Sequence, residues 1–268
     1  GMQLGGACAS GTLFTAGGGN ARMLVTLAAF ICGSVIGTWH WSQWQDAPGY
    51  EAVVLSKNFG IIPAILISLV LFALVWVAAA WNERRHHNSI KSYWKTEIGQ
   101  SWLRGPWPVI IGALGLAGVN IATLLIAGRP WGVTSAFALW GAKFVGLINI
   151  DVTAWEYWQR PSSLESLNQS ILANVTSVMN IGIMLGALSA ASLAGKFAPS
   201  FKLPWRSLLA AVIGGLMLGY GARLAYGCNI GAYFSGISST SMHGWLWFVA
   251  AFLGNILGTR LRPYFGMQ

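Results

Sequence analysis

Charge is what this chain lacks. Only 9% of its 268 residues are Asp, Glu, Lys or Arg, where a soluble globular protein carries roughly 25%. Carboxylates are scarcer than cations, 7 against 16, and none falls in a window long enough to cross a bilayer. That argues against a pump or proton relay built on intramembrane Asp or Glu. Cysteine is also rare: Cys8, Cys32 and Cys228 cannot all pair, and no spacing among them resembles a zinc or haem motif. Neither a metal nor another cofactor is expected.

What remains is apolar. Hydrophobic residues make up 55% of the chain, and windows 59–81, 106–127 and 172–195 each run uncharged past the roughly 20 residues that cross a hydrocarbon core. Shorter candidates are 23–38, 207–226 and 243–259. Many of the 15 Trp stand at segment ends, among them Trp39, Trp41, Trp44, Trp81, Trp107 and Trp131, where interfacial belts form. Trp247 reads instead as a core aromatic. The class is an all-α integral membrane protein, placed in a bacterial cytoplasmic (inner) membrane with the lipid bilayer as its surroundings.

The net charge of +9 raises the question of nucleic acid, but its distribution answers it. Loop 82–105 holds Arg84, Arg85, Lys91, Lys95 and Arg104, and loop 195–206 holds Lys196, Lys202 and Arg206. Loops 39–58 and 151–171 hold only Lys57 and Arg160 as cations. This asymmetry is the positive-inside pattern, so basic charge sets orientation and no nucleic-acid partner is implied. It runs 23–38, 106–127 and 207–226 outward and 59–81, 172–195 and 243–259 inward. Segments 128–150 and 228–240 then enter and leave as short re-entrant pieces.

Two of the three cysteines sit in matched surroundings. Gly1, Leu4, Cys8, Gly11 and Phe14 recur at a constant offset as Gly221, Leu224, Cys228, Gly231 and Phe234. One inserted residue later, the run 33–38 matches 254–259. With the orientation above, the helix after the first motif points outward and the helix after the second points inward. The chain thus reads as an inverted-topology repeat of about six spanning helices plus short re-entrant helices, the plan of many secondary transporters. Residues 1–105 form the first repeat, ending in the basic cytoplasmic loop 82–105, and residues 106–268 the second. The second motif has about 100 apolar-rich residues before it and the first has none, so a comparable N-terminal stretch is expected in the full-length protein.

Glycine supplies 34 of the 268 residues, close to twice the average usage of about 7%. Gly112, Gly115, Gly118, Gly182, Gly186, Gly214 and Gly215 are expected to let helices approach closely. Around the cysteines, glycine has a different task. Gly5, Gly6, Gly11, Gly227 and Gly231 break the helix and free backbone N–H groups, and a half-helix beginning there turns its positive end to the site. Cys8 and Cys228 add polarizable thiols that are weak donors and weak acceptors. Such a site suits a small anion carrying soft sulfur; for sulfate or phosphate, Arg, Ser and Thr would be the usual tools. The expected path comprises Cys8 with Gly6, Gly11 and Thr12, and Cys228 with Gly227, Asn229 and Gly231. Lys143 and Arg223 join them as the cations at membrane depth. Cys32, inside an ordinary helix and without a counterpart, reads as packing. Asn120, Asn149, Asn174 and Asn180 read as path-lining or helix-bridging groups, and His86 and His87 as a solvated loop pair.

The runs 6–12 (Gly-Ala-Cys-Ala-Ser-Gly-Thr), 227–232 (Gly-Cys-Asn-Ile-Gly-Ala) and 128–134 (Gly-Arg-Pro-Trp-Gly-Val-Thr) resemble the YeeE/YedE family of sulfur-compound transporters over essentially the whole chain. Thiosulfate uptake typifies the family, and some members are linked to selenium metabolism. The resemblance implies an inverted-repeat helical fold with several short re-entrant helices. It also implies a path along which cysteine thiols hand thiosulfate inward by transient S–H···S hydrogen bonds. Cys8 and Cys228 map onto the family's two Gly/Cys loops. Its further cysteine belongs to an N-terminal stretch these residues do not include, and Cys32 stands in the wrong element to replace it.

The leading reading is a permease for thiosulfate or a related small sulfur-containing anion, with a cytoplasmic sulfur-accepting protein as a further partner. Two alternatives share the same residues: a selenium-species transporter, and a membrane sulfurtransferase or redox protein using the cysteines as nucleophiles. The latter wants an adjacent base, and no His, Lys or carboxylate stands within four residues of Cys8. A channel-like pore for small neutral solutes is a third reading.

Overall fold

The chain folds into helices joined by short breaks. A computed structural model describes residues 1–49, 51–87, 107–199, 201 and 203–267. Among these there is no strand, only an isolated bridge between Val54 and Ser241 that ties one loop to the start of the last long helix. In chain order the helices are α1 (Met2–Gly5), α2 (Ala9–Gly17), α3 (Ala21–Trp39), α4 (Trp41–Gln45), α5 (Leu55–Phe59) and α6 (Ile61–His87). Then come α7 (Val109–Ala127), α8 (Thr134–Leu147), α9 (Glu156–Gln159), α10 (Pro161–Asn168), α11 (Val175–Leu193) and α12 (Trp205–Leu224). A π-helical turn, Asn229–Phe234, runs into α13 (Ser235–Ser238), and α14 (Met242–Leu261) is followed by a 3-10 turn, Arg262–Phe265.

All six expected long helices form. Five segments, beginning at Ala21, Ile61, Val109, Val175 and Trp205, are long and apolar enough to cross a membrane. The sixth, α14, is 20 residues long and carries His243 and Asn255. Segment 128–150 resolves into an extended stretch and α8, whose 14 residues reach about 21 Å at 1.5 Å per residue. That is short of the roughly 30 Å hydrocarbon core. The protein is an all-α integral membrane protein.

The centre of the fold is the contact between α3 and α12. A Cβ at Gly219 would overlap the carbonyl oxygen of Phe30, and one at Gly33 the carbonyl of Leu216. Gly215 meets Ala29 and the Thr26 carbonyl, and Gly37 meets the stem of Arg223. Residue numbers rise together along both helices, so they run parallel, as the charge pattern requires. Spacings of four (Gly33 and Gly37, Gly215 and Gly219) put the small residues on one face of each helix. On the other side of α12, Gly214 meets Gly5 and Leu4 while Gly1 meets Leu218, an antiparallel approach by α1. Gly17 of α2 packs on Met184 of α11. Elements of the two sequence halves therefore interleave.

Three expectations are corrected here. Gly112, Gly115, Gly118, Gly182 and Gly186 face open space, whereas Gly214 and Gly215 are tightly packed as expected; glycine spacing alone does not say which helix face meets a neighbour. Trp41 and Trp131 are buried, 6% and 8% exposed, because the segments carrying them fold back against α8, α9 and α12 instead of lying at a lipid boundary. Residues 82–87 continue α6, so His86 and His87 stand on an exposed helix end; most of the expected 82–105 loop, with Lys202, lies outside the described residues. α6 and α7 bury almost none of their apolar surface, as helices that are apolar all round and face lipid do.

Gly219→Ala is expected to lose about 1–3 kcal/mol through overpacking, while Gly115→Ala stays within about 0.5 kcal/mol. Thermal unfolding of the two variants in one detergent measures the difference, and equal melting would remove the α3–α12 contact from its central place.

Candidate functional site

Both cysteines occupy the same local device. α1 ends at Gly6, whose left-handed φ of 91° is one glycine adopts freely. The chain then extends, and Cys8 (ψ −177°) is the N-cap of α2. Its carbonyl accepts the Thr12 N–H and the Thr12 hydroxyl, both at 2.8 Å. Ahead of the second cysteine, Tyr226 (φ 54°) and Gly227 (φ 155°) make the break. Cys228, extended at ψ −166°, is the N-cap of the π-helical turn. Its carbonyl accepts from Ala232 N at 2.8 Å and Tyr233 N at 3.3 Å. Short π segments inside helices are rare and concentrate at functional sites.

Arg22 fixes the first break. Its guanidinium donates to the Gly5 carbonyl at 2.9 Å, a cation on the orphan carbonyls that end a helix. Thr26 reinforces the same carbonyl at 3.2 Å. A Cβ at Gly6 would fall 2.5 Å from the Arg22 guanidinium, so glycine is required there on two counts.

The two thiols line one cavity of about 470 Å³, together with Asn229, Gly227, Phe30 and residues of α1, α12 and α14. Cys8 is half-buried, and its sulfur lies 3.4 Å from the Ser10 hydroxyl. Cys228 is buried in an apolar cluster with Ala9, Leu13, Phe30, Val133, Phe137 and Ala222. Among the described residues, no His, Lys or carboxylate lines this cavity. At its far end the Gln3 amide donates to Asn255 at 3.0 Å and accepts from Arg262 at 3.3 Å.

On the other side of Gly227 lies a second cavity, about 360 Å³, lined among the described residues by Arg129, Arg160 and Arg223 and by no carboxylate. Ala222 and Gly227 line both cavities, so the apolar cluster around Cys228 divides them. Arg223, in the last turn of α12, donates to the Tyr157 hydroxyl at 3.0 Å. Arg160 lies over the Trp41 and Tyr157 rings at 4.7 and 4.4 Å, within cation–π range. Arg129 donates to the Thr176 hydroxyl at 3.2 Å. The extended 128–133 stretch forming one wall is tied down by Asn120 to Trp131 N (3.3 Å), Asn180 to the Val133 carbonyl (2.9 Å) and Ser235 to the Trp131 carbonyl (3.0 Å). Irregular backbone at membrane depth needs such partners. Asp151, the acid nearest in sequence to α8, accepts from Thr153 N and its hydroxyl at 2.9 and 2.6 Å, which holds its carboxyl below the usual range.

The structure thus gathers Cys8, Cys228, Gly227 and Asn229 at one cavity, and Arg223 and Gly231 at the adjoining one. Gly11 stands beside the Cys8 sulfur, 3.5 Å from a built Cβ. Lys143 is set apart: its ammonium donates to the Leu167 carbonyl at 2.9 Å and it lines neither cavity. Cys32 is exposed on α3. Sequence reasoning missed Arg129, Arg160 and Tyr157 as site residues. Arg129 lies within the 128–134 run quoted above; Arg160 looked like an isolated loop charge, and nothing in its neighbours signals its partners.

These features define a class, a polytopic helical membrane protein with paired thiol-bearing helix breaks around one cavity. The chain belongs to the sulphur-transport family, which matches residues 1–257. It is 30% identical over 171 residues to the probable transporter YedE of Escherichia coli, covering 63% of this chain and 42% of that protein. The Salmonella typhimurium YedE is likewise 30% identical over 168 residues, 62% and 41% of the two chains. The thiosulfate transporter TsuA of Spirochaeta thermophila is 27% identical over 275 aligned positions, 95% of this chain and 72% of that protein. The matched region spans about two-fifths of the YedE relatives.

Gly227→Ala is expected to displace Cys228, because a Cβ there would lie 2.8 Å from the Ala232 amide nitrogen on a backbone that L-residues rarely adopt. Labelling Cys228 with a small thiol reagent in membranes measures this, and an unchanged rate in Gly227→Ala relative to wild type would refute it.

Proposed function

We propose that this chain is a permease that imports thiosulfate or a related small sulfur-containing anion across a bacterial cytoplasmic membrane. The observation that carries the reading is that Cys8 and Cys228 cap matched short helices and line one cavity. The anion enters from the side of loops 39–58 and 151–171, reaches the arginine cavity and passes Gly227 to Cys228. Cys8 then takes it on toward Asn255 and Gln3. Each thiol offers one weak S–H donor. A terminal sulfur is handed between such donors without any covalent bond being made. Residues 1–105 and 106–268 supply one motif each, and the antiparallel approach of α1 and α12 supports an inverted relation between them. A cytoplasmic sulfur acceptor would draw the anion off at the inner end.

Family membership and the likeness to TsuA, named for thiosulfate, support the substrate class. Among the described residues no His, Lys or carboxylate lines the thiol cavity, which supports hand-over above nucleophilic chemistry that needs an activating base.

Uptake of labelled thiosulfate, in cells without their own importers and with the complete gene, tests this reading. Cys8→Ala and Cys228→Ala are each expected to lower uptake at least tenfold with the protein still in the membrane, and Cys32→Ala to leave it unchanged. Full uptake by either of the first two removes that thiol from the path. A persulfide trapped on Cys8 or Cys228 during turnover would replace the permease with a sulfurtransferase.

A further inference from the structure

We infer that Tyr233 is a positioning residue for Cys228: its ring, laid against α14, holds the turn behind the thiol in a π register. The inference deepens the permease reading, on which only its consequence for uptake rests.

The two cysteine motifs differ where their helices begin. Four residues after Cys8 stands Thr12, and its hydroxyl joins its N–H on the Cys8 carbonyl, both at 2.8 Å. Both lone pairs of that carbonyl are then taken, and α2 runs on as a regular α-helix to Gly17. Four residues after Cys228 stands Ala232, which has no hydroxyl to offer. There the carbonyl accepts the Tyr233 N–H at 3.3 Å beside that of Ala232 at 2.8 Å. The Ala232 bond is the i→i+4 bond of an α-helix and the Tyr233 bond the i→i+5 bond of a π-helix. One carbonyl thus carries both registers at once. The turn closes in the π manner too, with the Ser235 N–H on the Ile230 carbonyl.

π turns are rare because the α register usually wins, so a contact outside the turn must select this one. Residue 233 makes that contact. The Tyr233 ring lies within 21° and 19° of the planes of Trp247 and Phe248, with centroids 5.8 and 5.5 Å apart. This is the offset-stacked arrangement that aromatic pairs favour. The matching residue after Cys8 is Leu13, which has no ring to stack. The backbone is held from the same side. A Cβ at Gly244 would lie 3.1 Å from the Tyr233 carbonyl oxygen and 2.9 Å from the Ile237 nitrogen, so the start of α14 presses directly on the turn.

Tyr233 lines neither cavity, whereas Cys228 and Trp247 both line the thiol cavity. The ring therefore acts through the thiol and not on the anion. Freed from α14, the turn relaxes to the α register, with the Ala232 N–H alone on the Cys228 carbonyl. The residues from 228 to 233 then rotate about the helix axis. The thiol leaves its place amid Phe30, Val133 and Phe137. One motif is fixed from within by Thr12 and the other from outside by α14, which makes Cys228 the thiol whose position follows a neighbouring helix.

The test is labelling of the three cysteines in membranes, resolved by peptide mass, with thiosulfate uptake by the same variants of the complete gene. Tyr233→Leu gives the second motif the residue of the first. It is expected to raise Cys228 labelling at least fivefold and to leave Cys8 labelling within twofold. Maximal uptake should fall at least fivefold, with the half-saturating concentration within twofold. Tyr233→Phe keeps the stack and should match wild type in every readout. Should Tyr233→Leu fail a thermal-unfolding check, Phe248→Leu removes one of the two partner rings and supplies the same rise. Unchanged Cys228 labelling, Cys8 labelling raised to the same extent, or Tyr233→Phe behaving as Tyr233→Leu overturns the inference. Cys228 labelling that rises while uptake is untouched would sink the hand-over at Cys228 and leave the positioning role standing.

Discussion

The backbone-to-backbone approach of α3 and α12 is the constraint from which the rest of the arrangement follows. In lipid, two apolar helices gain nothing by hiding from their surroundings, so van der Waals contact must hold them together. Gly33 and Gly219 make that contact possible by letting backbone meet backbone, while Gly215 and Gly37 leave room for Ala29 and the stem of Arg223. The first cysteine break lies between α1, which packs on α12, and α2, which leads into α3; the second follows α12 directly. Locking these helices in parallel therefore fixes the separation of the two thiols. It also seats Arg223, whose stem lies against Gly37, so the packing face and the cationic cavity are two sides of one device.

Much of this was legible because a bilayer permits few solutions. The long helices, their order and their membrane class came from uncharged windows and the uneven placement of cations. The pairing of Cys8 with Cys228 came from recurrence at a constant offset, and both end as N-caps after a positive-φ glycine. What stayed hidden was set by tertiary contact. Gly115 and Gly219 look alike in sequence, yet one faces open space and the other a carbonyl. Arg160 seemed a lone loop charge until α9 folded its neighbour Tyr157 beneath Arg223. Lys143 carried the right charge in the right segment, but a carbonyl at the end of α10 claims its ammonium.

In the proposed permease the two cavities divide a task that one site would perform badly. Drawing a dianion from water needs strong partners, because removing an ion's hydration costs several kcal/mol even after the protein relaxes. Arginines supply that attraction. A ring of them carried on through the membrane would hold the ion too well, since conduction demands sites favourable enough to enter and weak enough to leave.

Thiols solve the second half of the problem because they are poor hydrogen-bond donors. In the proposed permease, the anion would exchange firm contacts to its oxygens for a soft one to its sulfur at Cys228, amid Phe30, Val133 and Phe137. Sulfate, with oxygen at every corner, would have no equivalent contact to offer there and would lose its hydration without return. Replacing the Cys228 thiol by a serine hydroxyl would strengthen the donor and harden it together, favouring the oxyanion that the cluster otherwise turns away. Selectivity on this account comes from the weakness of the deeper site, and it needs the stronger one in front to bring the ion that far.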